Sequence, residues 1–140
     1  MTDWRDGVII QRGDTLDKVM ADTADGSLTR ATAFNFTGEG GFKSGYKTWV
    51  GRVTLAASAK TGGHHHGRHE VAFYVVKGQG EISWGERLEY SQRVGPGDFA
   101  YFAPDVPHQE RNLQSEETLD FVVIRSDNEP ILSKVDIEAA

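Results

Sequence analysis

An all-β fold, a small antiparallel sandwich or jelly-roll barrel, is predicted by three features of the sequence. From Ser27 onward, short β-branched and aromatic runs alternate with Gly-rich punctuation. About eight such runs can be drawn, the number a jelly roll needs. Their succession is that of strand after strand rather than of alternating βα units.

The elements follow in order. Met1 to Gly7 carries charges of both signs and leads into only three apolar residues, Val8 to Ile10, far short of a signal-peptide core or membrane span. A soluble, cytoplasmic protein is therefore expected, with no membrane partner. The one helical candidate is Thr15 to Ala21, where Asp14 can cap the first turn and Leu16, Val19 and Met20 share a face. Residues 1–27 thus read as an N-terminal arm or short helix.

Strands are predicted at Leu28–Phe36, Thr48–Ala57, Val71–Val76, Glu81–Trp84, Leu88–Val94, Phe99–Phe102, His108–Leu113 and Thr118–Arg125. Gly38 to Gly45 is a flexible connection too short to separate two domains. Gly85-Glu86 suits a tight hairpin, and Gly95-Pro96-Gly97-Asp98 places Pro and Gly as a type II turn requires. The tail, residues 127–140, has Ile131, Leu132, Val135 and Ile137 to anchor it, and it can pair as a strand.

Composition narrows the function. A chain of 140 residues is the size of one domain. Fifteen Lys and Arg against 21 Asp and Glu give a formal charge of −6, which lacks the footprint for nucleic acid. There is no Cys, hence no disulfide, thiolate site or cysteine nucleophile, and any chemistry rests on nitrogen and oxygen.

All five His residues fall in two places: His64-His65-His66-Gly67-Arg68-His69, followed by Glu70, and His108 after Pro107. Neutral imidazole and carboxylate are ligands for divalent iron, manganese, zinc, nickel or cobalt. The two-residue period of a strand points His64 and His66 to one face and His65 to the other. A His run can also be a bare surface loop, but here a second His arrives in a matching context.

These residues resemble the cupin superfamily. Gly62 or Gly63, His64-x-His66, Glu70 and Gly78 are similar to its first motif. Pro96-Gly97-Asp98, Pro104-Asp105-Val106-Pro107, His108 and Asn112 are similar to its second. The resemblance spans about residues 49–125 and implies a double-stranded β-helix barrel, with the whole chain as one such domain. It also implies one divalent metal held by His64, His66, Glu70 and His108, with cis positions open to substrate.

Two departures from the pattern stand out. The interval from Glu70 to Gly78 is one residue longer than usual, so if Val71, Phe73 and Val75 share the inward face, Glu70 points outward unless a bulge turns it in. His69 is the reserve ligand, with a supporting or solvated position as its alternative. Asp105 replaces a customary Gly, which affects turn geometry rather than ligation; Asn112 reads as structural, closing a turn.

Candidate cavity residues are Trp49, Arg52, Phe73, Trp84, Tyr101 and Glu110. For Trp49, Phe73 and Trp84 the alternative is core packing. Arg52 can bind a carboxylate if it turns inward, Tyr101 can donate a phenolic proton, and Glu110 shares a strand face with His108 as a supporting carboxylate or general base. The expectation is a metal-dependent enzyme on a small oxygen-rich substrate, dioxygenase-type oxidation being favoured over isomerase, lyase or cyclase chemistry. A non-catalytic metabolite-binding module is the alternative from another class. The resemblance also implies a homodimer joined through edge strands.

Overall fold

The computed structural model describes residues 4–16, 18–20, 27–35, 48–126 and 133–134. In chain order the strands among them are β1 Lys18–Met20, β2 Leu28–Asn35, β3 Trp49–Leu55, β4 His64–His65, β5 Val71–Lys77, β6 Gly80–Trp84, β7 Tyr90–Val94, β8 Phe99–Phe102, β9 His108–Asn112, β10 Leu119–Arg125 and β11 Ser133–Lys134. They form two antiparallel sheets, one of six strands in the order β1-β2-β3-β10-β5-β8 and one of five in the order β11-β4-β9-β6-β7. This is the double-stranded β-helix expected. No helix among the described residues is long and apolar enough to cross a membrane.

The eight predicted strands all form, with ends shifted by at most two residues. The helix expected at Thr15–Ala21 does not form: a 3-10 turn ends at Thr15 and Lys18–Met20 pairs with β2. Too few residues lie there to sustain helical hydrogen bonding, and the open edge of β2 offers a ladder instead. The Gly38–Gly45 connection, and all of the tail except Ser133 and Lys134, lie outside the described residues. That remaining pair joins β4 of its own chain.

Alternation on the strands builds the interior. β5 buries Val71, Phe73 and Val75; β3 buries Trp49, Val53 and Leu55; β10 adds Leu119 and Phe121. Phe73 packs on Phe102 and Phe121 at ring separations of 5.6 and 5.0 Å. The two sheets meet closely at Gly80, where a Cβ would lie 2.7 Å from Leu119 Cδ2. Asn112 braces this end: its Nδ2 donates to Leu55 O, Ala56 O and Glu117 O at 3.1, 3.1 and 2.8 Å, and its Oδ1 accepts from Gln114 N.

The turns behave as their residues dictate. Asp98 N donates to Gly95 O at 3.0 Å and Gly97 sits at φ +91°, as a type II turn requires. Between β6 and β7 the hairpin is longer than the two-residue turn expected, because Leu88 N closes on Gly85 O and β7 starts only at Tyr90. Asp105 adopts φ +64°, a conformation that Asp tolerates better than most residues.

Candidate metal centre

The site grows from the inner face of the five-stranded sheet. β4 and β9 are neighbours with His64 opposite His108, and on the other side of β9 Trp84 lies opposite His108. Along β9 the buried residues are His108, Glu110 and Asn112, so one strand aims an imidazole, a carboxylate and an amide at the interior. His66 follows β4 just before a turn at Gly67, whose φ is +57° and whose N–H donates to His65 Nδ1. That bond holds His65 apart from the group. His64, His66 and His108 each offer one ligand nitrogen, all within 4.8 Å of one another.

Backbone carbonyls set the tautomers. A carbonyl only accepts, so the ring nitrogens facing Gly62 O at 2.8 Å and Val106 O at 3.0 Å carry the protons: Nδ1 of His64 and of His108. Their Nε2 lone pairs are thereby directed inward. His108 Nε2 is fully buried with no hydrogen-bond partner. Its ring is stacked at 4.0 Å and 16° on Phe102, which fixes its plane.

Electrostatics favour the ligating forms of His66, His108 and Glu110. Burial, then the neighbouring His64 and His108, push the His66 pKa down to about 3. Burial also lowers that of His108, against the opposing pull of Glu110. Glu110 is only 7% exposed; its Oε1 lies 3.5 Å from His108 Nε2 and its Oε2 3.9 Å from His64 Nε2. Burial alone would raise its pKa, but His108, His64 and a 2.9 Å hydrogen bond from Thr61 Oγ1 outweigh it and hold the carboxyl below its ordinary value. Three imidazoles, one with a buried nitrogen left without a hydrogen-bond partner, beside a buried carboxylate fit a divalent first-row metal.

The other candidates are sorted by strand parity. Glu70, expected as a ligand, is exposed before β5 and accepts a 2.7 Å bond from the Tyr101 hydroxyl; no bulge turns it inward. Tyr101, expected in the cavity, is 60% exposed on the outer face, opposite Ala72. Arg52 also points outward, paired with Asp120 at 2.7 Å. His69 is buried but is not among the grouped ligands. Phe73 is core and Trp84 packs against it. Trp49 is buried beneath Arg125, a residue absent from the expectations although Phe121, Val123 and Arg125 alternate with Val122 and Ile124.

Residues 51–125, which hold all of these groups except Trp49, match the sequence model of the family described as "Cupin domain". The chain is a cupin. No curated protein matches it. Among solved structures, this cupin is similar to the polyketide cyclase RemF from Streptomyces resistomycificus, with TM-score 0.73 and 16% identity over 92% of this chain and 87% of that one. It is similar also to a cupin-2 domain protein from Rhodospirillum rubrum, with TM-score 0.70 and 18% identity over 91% and 80% of the two chains. An oxalate oxidase aligns with TM-score 0.66 and 18% identity, over 81% of this cupin and 57% of its own length. At these identities the likeness is one of fold.

Proposed function

We propose that this cupin is a metal-dependent enzyme acting on a small oxygen-rich organic substrate, with dioxygenase-type oxidation as its reaction. The observation that carries the reading is the convergence of His64, His66 and His108 on one buried point beside Glu110. His64 and His108 hold the metal through Nε2, their opposite nitrogens locked to Gly62 O and Val106 O. A divalent metal bound there supplies a Lewis acid, and iron or manganese a redox centre as well. Glu110, ionised and positioned by Thr61, adds a fourth ligand or accepts a substrate proton at Oε1. Phe102 and Trp84 keep the surroundings of His108 dry.

The likeness to an oxalate oxidase supports oxidation; the likeness to RemF supports a cyclase, isomerase or lyase as the second reading. Oxygen uptake by protein loaded with iron, manganese, zinc, nickel or cobalt, assayed with catechols, diketones and hydroxy acids, separates them. Uptake with iron or manganese that disappears in His108→Ala supports the dioxygenase reading. Turnover without oxygen, sustained by zinc or nickel, supports the second, and ligand binding without any turnover overturns both in favour of a binding module.

A homodimer is proposed on the surface of β8. This edge strand exposes Phe99 (79%) and Tyr101 beside Tyr74, a face that a second copy would cover. Sedimentation at micromolar concentration tests it, and a monomer contradicts it.

A further inference from the structure

The inner face of the six-stranded sheet is apolar for most of its length and ends in a charge. Arg125 closes β10 opposite Trp49 of β3 and Val71 of β5, and it is 7% exposed. Its guanidinium carbon lies 3.9 Å from the centroid of the Trp49 ring, and that of Arg30 lies 5.9 Å from the same ring. Gly51 makes room for the arrangement, since a Cβ there would come within 2.5 Å of Trp49 Cη2. The indole is a platform that holds one buried guanidinium with a second nearby.

Among the described residues no carboxylate pairs with Arg125, and its Nε is buried without an acceptor. Stacking on Trp49 satisfies the face of a guanidinium but not the N–H donors along its edge. The contrast with the half-exposed Arg52 and Arg111, each within 2.9 Å of a carboxylate, is direct. Burial and the nearby Arg30 bring the Arg125 pKa down to about 10, which still leaves it charged at neutral pH. Val71, its partner on β5, pairs in turn with Phe102, whose ring stacks on His108 at 4.0 Å, so Arg125 and the histidines line the same interior.

We propose that Arg125 is the anion anchor of this site: its free guanidinium edge binds the carboxylate of a small organic acid whose oxygen-bearing end faces His64, His66 and His108. The proposal deepens the functional reading above and rests on it for the reacting end of the substrate. A planar fork of donors suits a carboxylate, and a buried cation without a partner is costly until an anion arrives.

Titration calorimetry on the metal-free protein tests it with acetate, pyruvate and benzoate against the uncharged acetamide and benzamide. Wild type is expected to bind at least one of the carboxylates about tenfold or more tightly than the amides. Arg125→Gln removes that preference, Arg125→Lys restores part of it, and Arg52→Gln leaves it intact. Absence of any carboxylate preference in wild type overturns the anchor, as does its persistence in Arg125→Gln. The wild-type comparison decides even if a variant does not fold. Metal content, measured in parallel, separates this claim from the one beneath it. A carboxylate preference that depends on Arg125 in a protein unable to take up metal upholds the anchor and removes the metal centre; metal uptake without the preference does the reverse.

Discussion

The two inner faces of the barrel are built by the same alternation and are chemically opposite. On the six-stranded sheet the inward positions of β5 and β10 are Val71, Phe73, Val75, Leu119 and Phe121, and polarity enters only at Arg125. On the five-stranded sheet β9 turns His108, Glu110 and Asn112 inward, beside His64 of β4. The first face supplies burial energy and the second groups the imidazoles and the carboxylate that could hold a metal. The difference shows how a small barrel carries a polar site: one wall buries apolar surface that stabilises the fold, while the other ties most of its polar atoms to backbone or to one another and leaves His108 Nε2 without a partner. Glu70 and Glu110 make the same point singly, for parity sends one to a surface contact with Tyr101 and the other to the histidines.

Substitutions can break this division, beginning with the apolar wall. Phe73→Ala removes a ring packed on Phe102 and Phe121 and should cost about 3–5 kcal/mol in chemical denaturation. On the polar wall Asn112→Ala leaves the carbonyls of Leu55, Ala56 and Glu117 short of a donor, and a loss of about 2–3 kcal/mol is expected by the same measurement.

The pH dependence sharpens the contrast, because His66 belongs to the five-stranded side. His66 has a folded pKa of about 3 against an ordinary 6.5, so between these values the unfolded chain binds the extra proton. His66 therefore contributes a loss of stability to the metal-free protein that begins near pH 6.5 and grows by up to about 1.4 kcal/mol for each pH unit below it, down to about pH 3, and the lowered pKa of His108 adds a loss of the same sign. His66→Gln should flatten that slope. The smallest effect belongs outside the barrel. Glu70→Gln should leave metal content unchanged, while the Tyr101 phenol, whose pKa is raised by its bond to Glu70, titrates closer to its ordinary value by ultraviolet absorbance.

How much of this was legible in the sequence follows from the range of each signal. The period-two runs of β5 and β10 and the Gly95–Asp98 turn are local, and they could be read almost to the residue. β4, two residues long, is too short to announce itself as a strand; its histidines stand out through their clustering and through the motif they resemble. At residues 15–21, Leu16, Val19 and Met20 fit a helical face, and the edge of β2 that wins this segment is a long-range partner invisible in the local pattern. The outward direction of Glu70 was present in the parity of Val71, Phe73 and Val75, but the family motif argued the other way. Arg125 carried a readable signal in its alternation with Phe121 and Val123. Its stacking on Trp49 depends on the pairing of β10 with β3, which only the fold reveals.

The central claim is that the inner face of the five-stranded sheet holds a metal through its histidines. Elemental mass spectrometry of protein purified without a nickel column, as wild type, His108→Ala and Glu70→Gln, tests it most directly. The account predicts about one divalent metal per chain in wild type and Glu70→Gln and almost none in His108→Ala. A wild type that takes up no metal after reconstitution, or a His108→Ala variant that retains it as fully as wild type, would contradict the account.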